Sequence, residues 1–134
     1  MIVVDTNIIR YFFLKGEFTE LAEKAFRRDP HWVAPLLWRS EFRNVLALCL
    51  RKGILSLEDA TQIMLEAELL MKGNEYSVTS LDTFRLVSQS DCSAYDCEFV
   101  ALARDLRIPM VTTDKKVLRD FPETTIGLDQ FVRD

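Results

Sequence analysis

The sequence predicts an α/β fold with a mainly parallel sheet. Short apolar runs rich in β-branched residues, such as Ile2-Val3-Val4 and Met110-Val111-Thr112-Thr113, are too short for helices and are typical of buried strands. Longer segments between these runs carry apolar residues at helical spacing and end at glycine or proline. Strands and helices therefore alternate along the chain, which is the pattern of parallel sheets connected by crossover helices.

Helix stops define the elements in the first part of the chain. Gly16 and Asp29-Pro30 end two predicted helices, and Pro35 follows a predicted strand. The basic residues Arg51-Lys52 followed by Gly53 are typical of the end of a long helix. In chain order the predicted elements are a strand over residues 1–4, helices over 6–14 and 17–28, a strand over 32–34 and a helix over 36–52.

The second part of the chain continues this alternation. Ser56-Leu57-Glu58-Asp59 has the spacing of a capping box and begins a helix that ends at Lys72-Gly73. The apolar run before Asp114 is the clearest strand after the first. The remaining predicted elements are a strand over residues 75–80, helices over 81–90 and 93–106, a strand over 108–113 and a short last strand over 126–128.

The length of 134 residues predicts one domain over residues 1–134 with a single core. No apolar stretch approaches the roughly 18 residues that span a bilayer, and charged residues close to Met1 argue against a secretory signal. We therefore expect a cytoplasmic protein with no membrane contact. The three cysteines lack the spacing of a zinc site and are expected to be reduced thiols.

The net charge of −4 comes from 17 basic and 21 acidic residues. If four of the acids bind a metal ion, 17 acids remain against 17 bases, and the rest of the molecule is neutral. This balance excludes the broad basic face of a tight nucleic-acid binder, but it is compatible with a nuclease.

Four acidic residues occupy positions where carboxylates are unusual. They are Asp5 and Asp114, which directly follow predicted strands, Asp96 at a helix start, and Glu41 on an apolar helix stripe. Hard cations such as Mg²⁺ and Mn²⁺ prefer oxygen ligands, typically one or two carboxylates with water and substrate phosphate. If the fold brings the four acids together, they predict a metal-dependent enzyme that acts on phosphodiesters.

Three of these acids have an alternative role as helix caps. Asp5 and Asp114 precede helices, where Asp is a frequent N-cap residue. Ser93 and Asp96 have the spacing of a capping box. Capping and ligand binding are compatible, because helices that follow parallel strands begin at the carboxyl ends of those strands, where open α/β sheets bind ligands.

Glu41 is harder to explain as a structural residue. It shares a predicted helix stripe with Leu37 and Val45. Arg39 and Arg43 lie on the other side, because a two-residue step rotates by about 200° around a helix. A buried carboxylate needs a partner, and this helix supplies no basic residue at a suitable spacing. We therefore interpret Glu41 as a site residue.

Neutral and basic residues near the acids are candidates for supporting roles. Asn7 and Thr112 are neutral oxygen donors beside the acids, and Asn7 has the chemistry to orient a metal ligand or to act as a first-turn amide. The candidates for positioning a substrate are Arg10, Lys115 and Lys116, each of which is also explained as an ordinary solvated charge.

The acids and their neighbours resemble the PIN domain family over nearly the whole chain. The matching segments are Val4-Asp5-Thr6-Asn7, Ser40-Glu41-Phe42-Arg43-Asn44-Val45, Tyr95-Asp96-Cys97-Glu98-Phe99-Val100-Ala101-Leu102-Ala103 and Thr112-Thr113-Asp114-Lys115. No single motif is specific, but four acids in this order, in these structural contexts and at this length, are specific together. The short form resembles the VapC-like toxin ribonucleases of type II toxin–antitoxin pairs.

This resemblance implies a mainly parallel five-stranded sheet in three α/β/α layers and an Mg²⁺- or Mn²⁺-dependent endoribonuclease. It also implies an RNA substrate, a cognate antitoxin protein and frequently a homodimer. The implied acidic quartet is Asp5, Glu41, Asp96 and Asp114, and Thr112 is the hydroxyl before the last acid. We expect Asp5 and Asp114 to be the direct metal ligands, because they follow strands predicted to be neighbours. The expected reaction is hydrolysis of an RNA phosphodiester by a metal-activated water.

Aromatic residues on two of the predicted helices are candidates for the surface that the antitoxin covers. Five aromatic side chains on two predicted helices are many for so small a domain. They form either part of the core or an exposed patch that a partner covers. These residues are Tyr11, Phe12, Phe13, Trp38 and Phe42.

Two other functions remain open from the sequence. A metal-dependent phosphomonoesterase of the aspartyl-phosphate kind also begins with an acid after the first strand, but Asn7 replaces the second acid of its usual D-x-D pair. A non-catalytic RNA- or protein-binding PIN-like module would use the acids only as helix caps. Triad chemistry has little support, because His31 is the only histidine.

Overall fold

The computed structural model describes residues 1–133, and a five-stranded sheet forms its centre. The strands are β1 (Ile2–Val4), β2 (Trp32–Pro35), β3 (Glu75–Tyr76), β4 (Met110–Thr112) and β5 (Thr125–Gly127). They lie in the order β3-β2-β1-β4-β5, and each neighbouring pair is parallel. Parallel neighbours require crossover connections, which the helices supply. The predicted parallel five-stranded sheet is confirmed.

Helices connect all five strands and flank the sheet. They are α1 (Thr6–Phe13), α2 (Thr19–Arg28), α3 (Leu37–Arg51), α4 (Leu57–Met71), α5 (Ser80–Ser88), α6 (Ala94–Leu106), α7 (Lys115–Asp120) and α8 (Leu128–Arg133). The first six agree with the predicted helices to within two residues at each end. Over residues 1–133, no helix is both long enough and apolar enough to cross a membrane.

The central strand β4 is shorter than the predicted strand over 108–113, and the larger differences from the predicted elements lie at the edges of the sheet. The third strand was predicted over 75–80, but β3 contains only Glu75 and Tyr76. The Thr79 hydroxyl accepts a hydrogen bond from the backbone N–H of Asp82 and caps α5, so the chain turns into that helix instead of extending the strand. At the other edge, β5 ends at Gly127, and α8 begins where a strand residue was predicted. A six-residue helix is too short to show a clear helical period.

The core surrounds the central strands, because β1, β2 and β4 are buried along their whole lengths. Trp38 and Phe42 on α3 are fully buried. The three aromatic residues of α1 are half-buried and pack against the same core. The core alternative is therefore correct for Trp38 and Phe42, and only the α1 side chains keep partly accessible surfaces.

The strand order creates a topological switch point between β1 and β4. From β1 the chain adds β2 and β3 on one side, whereas β4 and β5 lie on the other side. The order therefore reverses between β1 and β4, where Val4 pairs with Val111. Open α/β sheets bind ligands at the carboxyl ends of strands at such a switch point. Asp5 and Asp114 follow these two strands.

Candidate active site

A cleft of about 250 Å³ opens at the carboxyl ends of β1 and β4. Its lining includes all four predicted acids, Asp5, Glu41, Asp96 and Asp114. Two come from the ends of adjacent strands, one from α3 and one from the first turn of α6. The fold thus brings together four carboxylates from four separate segments of the chain. Their role in metal binding stays a prediction.

Asp5 is the most constrained of the four. It is the N-cap of α1, and its Oδ1 accepts a hydrogen bond from the backbone N–H of Ile8 at 3.1 Å. Its Oδ2 accepts a short hydrogen bond from the Thr112 hydroxyl. Burial raises the pKa of Asp5 to about 6, although these two hydrogen bonds oppose the shift. The negative charges of Asp114 and Asp96 contribute to this rise in the pKa.

Thr112 connects the two strand ends. Its side chain is fully buried, and its Oγ1 accepts a hydrogen bond from the backbone N–H of Asp114 at 3.0 Å while donating to Asp5. Asp114 in turn caps α7, with its Oδ1 accepting from the backbone N–H groups of Lys116 at 2.9 Å and Val117 at 3.2 Å. Both strand-end acids are therefore helix caps and cleft residues at once.

Asp96 also combines these two positions. The Ser93 hydroxyl accepts a hydrogen bond from the backbone N–H of Asp96 at 3.1 Å, as the predicted capping box requires. Burial raises the pKa of the Asp96 carboxyl, and the charge of Asp114 raises it further, whereas Ser93 and Lys116 lower it. Two of the cleft acids therefore repel each other in the absence of a cation.

Glu41 is less buried than its predicted position on an apolar helix stripe implied. The core face of α3 carries Trp38 and Phe42, and Glu41 stands beside that face, half-buried. Its partner is the Thr6 hydroxyl, which donates a hydrogen bond to Oε1 at 2.6 Å. Burial raises the pKa of Glu41 despite this bond, and the charge of Asp96 adds to the effect. The carboxylate is therefore held towards the cleft by a neutral group.

Sequence reasoning missed three polar residues near the acids. Asn44 lines the cleft one helical turn after Glu41, so its spacing was an available signal. Thr6 and Tyr11 gave no such signal, because their roles depend on how α1 packs in the fold. The Tyr11 hydroxyl is hydrogen-bonded to Thr113 Oγ1 at 3.1 Å.

The predicted supporting residues divide into two groups. Asn7 is exposed at the cleft, as expected for a residue that follows Asp5. The three basic candidates Arg10, Lys115 and Lys116 are exposed and lie outside the cleft lining, and their role in positioning a substrate stays a prediction. Arg10 lines a neighbouring groove, and Lys115 and Lys116 begin α7. Of these, Lys116 is near enough for its charge to lower the pKa of Asp96.

The donor set of the cleft fits a hard cation. Among residues 1–133, none of the four carboxylates forms a salt bridge with a basic group. In the same part of the chain, no three acidic, histidine or cysteine side chains converge closely enough to enclose an ion by themselves. Mg²⁺ needs no such cage, since it keeps several waters and uses one or two carboxylates. The oxygen-only donors therefore suit hydrated Mg²⁺ or Mn²⁺.

Comparisons with known proteins agree with this architecture. Ribonuclease VapC3 from Pyrobaculum aerophilum is 27% identical over 124 residues, which are 90% of this chain and 95% of that protein. FitAcB from Neisseria gonorrhoeae shares the fold with a TM-score of 0.76 at 16% identity, covering 96% of this chain and 98% of the other. A toxin–antitoxin complex from Klebsiella pneumoniae has a TM-score of 0.70 at 15% identity with the same coverage. Residues 2–123 match the PIN domain model, and the chain therefore belongs to the PIN domain family, as its sequence predicted.

Proposed function

We propose that this protein is a divalent-metal-dependent endoribonuclease and the toxin of a toxin–antitoxin pair. The observation that carries the proposal is the convergence of four carboxylates on one cleft, without a basic partner for any of them in residues 1–133. Membership of the PIN domain family and similarity to a relative named as a ribonuclease support it. The nuclease domain in this proposal spans residues 1–134.

Each acid has a defined role in the proposed site. Asp5 and Asp114 are the metal ligands, because they end adjacent parallel strands. Asp96 and Glu41 position water or hold a second cation. When bound, Mg²⁺ or Mn²⁺ lowers the pKa of a coordinated water and offsets the charge that develops on the phosphate during hydrolysis.

The hydroxyls of two buried threonines hold the carboxylates in place. Thr112 fixes one oxygen of Asp5, and Thr6 fixes one oxygen of Glu41. These bonds restrict side-chain rotation before substrate arrives, which is the role of groups that support metal ligands. Asp5 must be ionised to bind a cation, so its raised pKa predicts that metal binding weakens as the pH falls towards 6.

We expect cleavage of single-stranded RNA in the presence of Mg²⁺ or Mn²⁺ and little cleavage with Ca²⁺. Ca²⁺ accepts longer and more flexible coordination, which should misplace the attacking water. The measurement is the initial rate on an end-labelled oligoribonucleotide with each cation in turn, after treatment with chelator. Undiminished cleavage in excess chelator would contradict the metal-dependent mechanism.

The second candidate function is a non-catalytic binding module. It is favoured by the capping bonds of Asp5 and Asp114 and by the Ser93 bond at the start of α6, since helix stability alone explains these contacts. Such a module would bind RNA or protein without a requirement for cations. The cation experiment therefore separates the two candidates, and RNA that is bound but never cut would favour the second.

The proposed partner is an antitoxin protein that inhibits the site. The solved structure from Klebsiella pneumoniae is a toxin–antitoxin complex with the same fold. By similarity, we propose an antitoxin whose segment lies over α1 and α3 and whose basic side chain reaches the cleft acids, because the acids lack a cationic partner in residues 1–133. A homodimer is also proposed from the family resemblance and is tested by light scattering.

Expression of this chain alone is expected to arrest bacterial growth, whereas the Asp5→Asn variant should permit it. The substitution removes a metal ligand but keeps an oxygen that can accept the Ile8 hydrogen bond. Growth curves after induction provide the measurement, and immunoblots verify that both forms accumulate equally. Equal toxicity of the two forms would refute the link between the acids and toxicity.

A further inference from the structure

A groove of about 740 Å³ lies directly beside the acidic cleft. Its walls come from α1, the turn that leads into α2 and the C-terminal part of α3. Val45 lines both the groove and the cleft, so the two depressions adjoin each other. Tyr11 lines the groove and is hydrogen-bonded to Thr113, the residue immediately before Asp114. The groove therefore lies next to the cleft that holds the carboxylates.

The charge of the groove is opposite to that of the cleft. Three basic residues, Arg10, Lys15 and Lys52, line the groove together with one acid, Glu17. All three basic residues are exposed, and none forms a salt bridge with an acid in residues 1–133. A polyanion approaching the four acids would be repelled by them. The groove offers the nearby positive charge that compensates for this repulsion.

Aromatic rings form part of the groove wall. Tyr11 and Phe18 are half-buried, and their ring centroids lie 4.8 Å apart. Basic side chains combined with accessible aromatic rings are the features that bind single-stranded nucleic acid, through phosphate contacts and base stacking.

We propose that this groove binds the single-stranded RNA that flanks the cleavage site. Lys15, Lys52 and Arg10 contact its phosphates, and Tyr11 and Phe18 contact its bases. This inference rests on the proposed ribonuclease function and assigns the path by which the substrate reaches the acids. It also gives Arg10 a position on the substrate path outside the cleft.

Lys52 and Lys72 provide a matched pair for testing the groove. Each is an exposed residue at the C-terminal end of a helix, and each is followed by a glycine with positive φ, Gly53 at 70° and Gly73 at 81°. Lys52 lines the groove, whereas Lys72 does not. Replacing either by Glu changes the net charge equally and places an acid at a helix C-terminal end.

The experiment measures binding of a fluorescein-labelled single-stranded oligoribonucleotide in the Asp5→Asn background, where cleavage does not interfere. We expect Lys52→Glu to raise the Kd at least about tenfold and to reduce the slope of log K against log salt by about 0.7 for each lost phosphate contact. Lys72→Glu should change the Kd less than about twofold, as expected for a lysine outside the contact surface. Equal weakening by both substitutions would overturn the proposal, because it would show only a general effect of charge.

Further outcomes show whether the groove proposal or the nuclease proposal fails. If Lys52→Glu leaves RNA binding unchanged, the groove is not the path of the RNA and the proposal is overturned. If the otherwise wild-type enzyme cleaves RNA and Lys52→Glu leaves its KM unchanged, the groove proposal fails while the nuclease proposal stands. If RNA binding depends on Lys52 but no cation supports cleavage, the groove is an RNA-binding surface and the nuclease proposal fails.

Discussion

Replacing Asp96 by Asn is expected to reduce RNA cleavage about 10- to 100-fold, whereas the same change at Asp59 or Asp82 should leave cleavage unchanged. The three acids occupy equivalent helix positions. Each donates its backbone N–H to a Ser or Thr cap three residues earlier, at 3.1 Å for Asp96, 3.0 Å for Asp59 and 3.2 Å for Asp82. Only Asp96 lines the acidic cleft. A difference among the variants therefore reports on the cleft and not on capping.

The measurement is the initial rate of cleavage of single-stranded RNA at saturating Mg²⁺, with thermal melting as a control for folding. Asn conserves the size of the side chain and leaves the backbone N–H bond to the cap intact, so all three variants should fold. Full activity of Asp96→Asn would remove this residue from the proposed site. A loss of activity that was equal in Asp59→Asn or Asp82→Asn would show that helix-end electrostatics, and not the cleft, controls the reaction.

The sequence predicted the strand-end acids because their positions follow from local patterns. Asp5 directly follows an apolar run, and Asp114 follows another after Thr113. In a parallel sheet such runs end at one edge, so two acids after two strands already indicate a common site. Helix ends were predicted well for a similar reason, since Gly53 and Gly73 adopt the positive φ that terminates α3 and α4.

The contacts that support the acids were not predictable in the same way. Thr6 and Glu41 are 35 residues apart, and their hydrogen bond depends on the packing of α1 against α3. The depth of Glu41 depends on which face of α3 meets the core, and Trp38 and Phe42 determine that face. The position of Arg10 in the groove beside the cleft was not predictable either, because the direction in which α1 presents this side chain depends on the three-dimensional fold.

Ionised Asp5 is expected to destabilise the metal-free protein at neutral pH. Its pKa is about 6 in the folded protein and 3.8 in the absence of structure. The difference corresponds to roughly 3 kcal/mol of unfolding free energy. Because the folded state binds the proton more tightly, this stabilising contribution is fully present below pH 3.8 and is lost as the pH rises through 6.

Urea unfolding of the wild type and of Asp5→Asn, both in chelator, tests the direction of this pH dependence. Between pH 7.5 and 5, the wild type should gain about 1.4 kcal/mol of unfolding free energy relative to the variant. Acids whose pKa is lowered in the fold, such as Asp29 and Glu75, stay ionised over most of this range. They affect both proteins equally, so they do not contribute to the difference. A difference that is independent of pH would contradict the burial of an ionisable Asp5.

Comparison of Asp5→Asn with Asp5→Ala at pH 7.5 separates capping from charge. Asn retains an acceptor for the Ile8 N–H group, whereas Ala loses it and should be about 0.5–2 kcal/mol less stable than Asn. If capping were the main role of Asp5, Asn and wild type would be equally stable in chelator. We expect instead that Asn is the more stable in chelator and that saturating Mg²⁺ reverses the order, because only the wild type gains stability by binding the cation. The reversal requires a carboxylate that is unfavourable alone and favourable with a metal ion, which a helix cap does not provide.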